Sequence, residues 1–179
     1  MNCWDSISVG KQLGLYRSIL LSILLGLFSF IILYLGFHAI HQEVAIQDTG
    51  WLPLIIVLAL LPLLHKVLRI LPIKLAHRQV KFQWKRSYWF FPNFQMCYHT
   101  KIRKSLLLFA LITPTIVIVI PCLVASYLLP SYYLYFLIIS AITISLSWPD
   151  YIYIHYLRKA PKKCMVSNDN KGYNILVHQ

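Results

Sequence analysis

From Trp51 to Leu75 the chain reads WLPLIIVLALLPLLHKVLRILPIKL, a run of membrane length that carries His65, Lys66 and Arg69 in its second half. A hydrocarbon core ~30 Å thick is crossed by about 20 helical residues rising ~1.5 Å each. Ionisable side chains inside such a run are expensive, and they mark either a site or a charge that snorkels to the headgroups. Trp51, an interface-anchoring residue type, opens the run. Pro62 removes a backbone donor one turn before His65, where a kink opens room beside the imidazole. Pro72 is expected to end the helix, leaving a span of about 51–71.

Further apolar runs at about 18–37, 105–128 and 131–154 bring the expected spans to four. The first exceeds the ~7–15 residues of a signal-peptide core and is followed by no A-x-A site, so it reads as a retained span. The third holds Thr113-Pro114-Thr115 and Pro121-Cys122, which bend it and turn small polar groups toward its neighbours. Leu129-Pro130-Ser131 joins it tightly to the fourth. That span starts at Tyr132, Tyr133 and Tyr135 and ends near Trp148, Tyr151, Tyr153 and Tyr156, an aromatic belt at each interface. Only 12% of residues are charged and 59% are hydrophobic, whereas charged residues make up about a quarter of a soluble domain. Mean hydropathy is +0.65. The expected fold is therefore an all-α membrane protein, a single domain over 1–179 with four transmembrane helices.

Charge then orients the spans. The 17 Lys and Arg outweigh 5 acids to give a net charge of +12. They fall in blocks beside apolar runs, which is the pattern of positive-inside topology and not that of a nucleic-acid-binding face. Phe37 to Gly50 reads as a connection holding His38, His41, Glu43 and Asp48 but no Lys or Arg, which places it outside. Its histidines read as solvated. Both termini are then cytoplasmic, together with the segment 75–104 and the tail 155–179. Within 75–104, Val80, Phe82 and Trp84 alternate with Lys81, Gln83 and Lys85, and Phe94, Met96 and Tyr98 alternate with Gln95, Cys97 and His99. With Pro92-Asn93 between them, these predict a cytoplasmic β-hairpin between spans two and three, lying on the membrane surface with its cations on anionic headgroups. Met1 to Arg17 reads as a frayed or interfacial arm. In the tail, Asn168 to Gly172 reads as a turn and Tyr173 to Val177 as a short strand. Cys3, Cys97, Cys122 and Cys164 form no C-x-x-C and read as free thiols.

His65 and Arg69 are one turn apart on one helix face, the spacing of the two metal-binding histidines in H-E-x-x-H. Here Lys66 stands at the glutamate position and Arg69 at the second histidine. Asp150 falls near the inner end of span four, at a depth similar to that of His65. His65, Lys66, Arg69 and Asp150 thus form the candidate site.

These residues carry a resemblance. The His65 element, the basic segment after it, the Thr-Pro span and the stretch from Trp148 to Leu176, with Pro149-Asp150-Tyr151 and Lys159-Ala160-Pro161, resemble a bacterial family of unknown function described as putative zincin peptidases. That family is similar in plan to site-2 intramembrane metalloproteases. The resemblance implies that His65 occupies the first ligand position and Asp150 the third, with Lys66 and Arg69 in place of the general base and the second ligand. A catalytic zinc takes three protein ligands and an open position, and a base must activate its water. A protonated arginine only donates, and neighbouring cations repel the metal. The expectation is a multi-pass bacterial cell-membrane protein without this proteolytic chemistry, with no cofactor, which binds a membrane protein segment or lipid. Arg69, and after it Lys66, is expected to reach Asp150 where zinc would lie. Two alternatives remain open. One is an active zinc protease with His77, His99 or His155 as replacement ligand, and the other is a small ion-coupled transporter using His65 and Asp150 as relay groups.

Overall fold

The computed structural model describes residues 2–7, 14–40, 51–76, 102–159, 164–169 and 172–177. Its apolar body is helical. Helix α1 spans Leu15–Ile40 and α2 spans Trp51–Ala76. Helix α3 spans Lys104–Leu128, and a single 3₁₀ turn, Pro130–Tyr132, leads into α4, Tyr133–Leu146, and α5, Trp148–Lys159. Among the described residues, three helices are long and apolar enough to cross a membrane, and the count reaches four if α4 and α5, bent by 47° at their junction, form one span. The apolar surface of the helices is compatible with that count. Along α1, Leu20, Ile23, Leu27, Phe28 and Leu35 are each about 60% exposed, an apolar surface that water would not tolerate.

Each helix buries one stripe. On α2 this runs Leu54, Leu61, His65 and Pro72, and on α3 Leu107, Leu111, Pro114 and Ile118, the spacing of a single helical face. Tyr133, Leu137 and Ala141 of α4 complete the core between them. Helix α4 is central: α1 packs on one side of it and α3 on another, while α2 packs on α3. Pro72 does not end α2 as the sequence suggested. The helix continues to Ala76 because Pro72 and Ile73 are buried, the latter 1% exposed, and packing compensates the lost backbone bond.

The break between α4 and α5 follows from Pro149. Proline has no N–H to give the carbonyl four residues back, which is that of Ser145. That carbonyl instead accepts a hydrogen bond from Ser22 Oγ of α1 at 2.6 Å, and Ser145 Oγ returns one to the Ser22 carbonyl at 2.8 Å. Such backbone approach needs a small residue one turn away. Gly26 supplies it, since a Cβ added there would lie 2.8 Å from Ser145 Cβ.

Beside the helices lies a four-stranded antiparallel sheet in the order β1-β4-β3-β2. Its strands are β1, Asn2–Ile7, β2, Ile102–Arg103, β3, Cys164–Asp169, and β4, Gly172–Val177. The expected strand near Tyr173 is β4, and its partner β3 takes Asn168 out of the expected turn. Other expectations change. Within the N-terminal arm, Asn2 to Ile7 form a strand, paired from Asn2 with Val177 to Ile7 with Tyr173, and Leu15 to Arg17 open α1. The apolar body is all-helical as expected, and this sheet, which the sequence reading did not foresee, is added beside it. The expected hairpin strands around Val80 to Lys85 and Phe94 to His99 fall outside the described residues, and among the described residues of 75–104 no hairpin forms. The strand residues there, Ile102 and Arg103, pair with Val166 and Met165 of the tail instead. His38 also departs from the expected loop, lying within α1 and stacked on Tyr34 at 5.4 Å between ring centroids. His41, Glu43 and Asp48 fall outside the described residues.

Candidate functional site

The buried stripe of α2 carries His65 to the point where α4 gives way to α5. Helix periodicity brings it there, because 65 continues the register of Leu54 and Leu61. Arg69 follows one turn later on the same side. Asp150 sits in the first turn of α5, where the positive end of a helix favours a carboxylate. It is 1% exposed.

Arg69 Nη1 lies 2.7 Å from Asp150 Oδ1. The guanidinium side chain keeps 26% exposure while the carboxylate keeps 1%, so the arginine reaches inward from a partly open position to a closed one. The pair is a close charge contact without hydrogen-bond alignment, since neither carboxylate oxygen has a hydrogen-bonded partner among the described residues. Asp150 Oδ2 is 4.0 Å from His65 Nε2, beyond hydrogen-bond reach. The expected pairing of Arg69 with Asp150 is therefore present. Lys66 is adjacent to His65 in sequence but leaves the buried stripe, and it is half-buried.

His65 Nε2 is committed elsewhere, 3.0 Å from the hydroxyl of Ser147. Ser147 is 0% exposed and closes α4 at the bend. Its Oγ donates to the Thr143 carbonyl at 2.9 Å and meets Thr115 Oγ1 of α3 at 2.8 Å. One hydroxyl thus ties α2, α3 and α4 together. Sequence reasoning singled out Thr115 as a small polar group in a bent span but passed over Ser147. The available signal was a serine two residues before a proline inside an apolar run.

Two chemistries can be tested against this geometry. In a Ser-His-Asp triad the serine and the carboxylate meet opposite ring nitrogens of the histidine. Here Ser147 and Asp150 both face Nε2, so the three side chains do not have the triad arrangement. A catalytic zinc needs three protein ligands and a water position. Among the described residues no group of three His, Cys, Asp or Glu side chains converges. His65 and Asp150 converge as a pair, with a guanidinium against the carboxylate. The described residues do not fit a catalytic zinc. Of the replacement ligands, His77 and His99 fall outside the described residues, and His155 is exposed on α5, five residues beyond Asp150 and away from its face.

A family profile described as Putative zincin peptidase matches residues 58–165, more than half of the chain and the whole stretch from His65 to Asp150. No curated protein and no solved structure matches the chain.

Proposed function

The chain belongs to the family described as Putative zincin peptidase, and from that premise we propose that it is a membrane-embedded member in which an ion pair has taken the place of the catalytic metal. It binds a membrane protein segment or a lipid rather than cleaving a peptide. The observation that carries this reading is the 2.7 Å contact between Arg69 and Asp150. That contact puts a permanent cation on the carboxylate that a zinc ion would need, at the position where H-E-x-x-H places its second histidine. Lys66 supports it, because an ammonium at the place of the glutamate has no lone pair with which to take a proton from water.

The cations support an orientation as well. Arg17 opens α1, Lys74 lies near the end of α2, Lys104 opens α3, and Arg158 and Lys159 close α5. Contacts between Ser22 and Ser145, and between Lys104 Nζ and the Arg158 carbonyl at 3.5 Å, bring these ends to one side of the bundle. By the positive-inside rule that side is cytoplasmic, carries both termini, and meets anionic headgroups.

Metal content of the protein purified without chelators tests the proposal. Zinc well below one per chain is expected. Stoichiometric zinc that is lost on Asp150→Asn would overturn it and restore a protease with rearranged ligands.

A further inference from the structure

The Ser147 hydroxyl meets His65 Nε2, Thr115 Oγ1 and the Thr143 carbonyl at once. A hydroxyl has one proton and two lone pairs. The carbonyl can only accept, so the Ser147 proton belongs to Thr143. The other two contacts are then hydrogen bonds only if Thr115 and His65 both donate into the Ser147 oxygen. No other assignment satisfies all three. The Thr143 carbonyl also accepts the Ser147 N–H at 3.1 Å, but were the Ser147 hydroxyl to donate to His65 instead, its oxygen would face that carbonyl oxygen at 2.9 Å with no proton between them, an unfavourable approach of two acceptors.

We infer that Ser147 is a positioning residue that holds His65 with its proton on Nε2, so that the ring nitrogen facing Asp150 is a hydrogen-bond donor rather than a bare lone pair while the cluster holds no metal. The carboxylate does not select this form, since Asp150 Oδ2 at 4.0 Å is too far to accept from Nε2. The basic nitrogen of the ring is then Nδ1. This deepens and rests on the metal-free reading of the same cluster, but it comes from a hydrogen-bond count and not from the ion pair.

Nuclear magnetic resonance of the full chain in lipid nanodiscs, isotope-labelled at the histidine nitrogens, tests it, with a His65→Gln difference spectrum to identify the signals. A protonated Nε2 and a bare Nδ1 are expected. Ser147→Thr, which keeps the hydroxyl, should retain that pattern, whereas Ser147→Ala removes the acceptor and should mix the two tautomers. A proton on Nδ1 with a bare Nε2 in the unaltered protein overturns the inference, and so does an unchanged pattern in a folded Ser147→Ala protein. Should that variant not fold, the spectrum of the unaltered protein decides alone. Stoichiometric zinc bound while His65 keeps its proton on Nε2 would sink the metal-free proposal and leave this inference standing.

Discussion

At the scale of single residues, Asp150 is the costly group, a carboxylate 1% exposed with two cations within a few positions of His65. Removing one member of a buried pair orphans the other and costs ~3–5 kcal/mol, while removing both together can be nearly neutral. Because Arg69 keeps 26% exposure and some access to water, the lower end of that range applies. Asp150→Asn should therefore lower the thermal midpoint in detergent, and adding Arg69→Leu should recover part of the loss. Strictly additive losses would mean that the two side chains do not stabilise each other. A second expectation concerns the residues that depart from the metal motif. Lys66→Glu with Arg69→His supplies a base and a second imidazole beside His65 and Asp150, completing the three ligands a zinc ion takes. The double variant should purify with about one zinc per chain. If it stays metal-free while folded, the bundle no longer holds these positions in ligand geometry.

At the scale of elements, the bent α4-α5 pair depends on α1. Pro149 frees the Ser145 carbonyl, Ser22 caps it at 2.6 Å, and Gly26 lets the two backbones approach. A methyl group at 26 would meet Ser145 Cβ at 2.8 Å, and overpacking of this kind costs ~1–3 kcal/mol. Gly26→Ala should lower thermal stability by that amount, and Ser145→Gly in the same chain should relieve most of the clash. If the second change brings no recovery, the penalty arises from something other than the α1-α4 contact.

For the whole molecule, the expectation is topological. Cations gather at one end of the helices while the residues between α1 and α2 contain no Lys or Arg, and the described contacts set α1 and α3 antiparallel to the α4-α5 pair. Reporter fusions after His99 and after Gln179 should read cytoplasmic, and one after Glu43 external. An external signal at His99 would place the most basic connection on the wrong side and rule out this arrangement of spans.

The helices long and apolar enough to cross a membrane and the shared face of His65 and Arg69 were legible in the amino-acid order alone. Hydropathy and helical period are local quantities, and lipid as a solvent leaves a long apolar run little choice. The approach of Arg69 to Asp150 was legible too, because a buried carboxylate must find a cation and the chain has few acids to offer. What the order of residues did not disclose was where hydroxyls and strands find partners. Ser147, Thr115 and Ser22 are small, nearly neutral in hydropathy and common in membrane helices, so their bonds across 82, 32 and 123 positions depend on which helices pack together. The same holds for the sheet. Asn2 pairs with Val177, and Ile102 with Val166, because an extended segment carries its alternation in its own sequence, while its backbone donors and acceptors are satisfied by whichever strand the folded helices bring alongside.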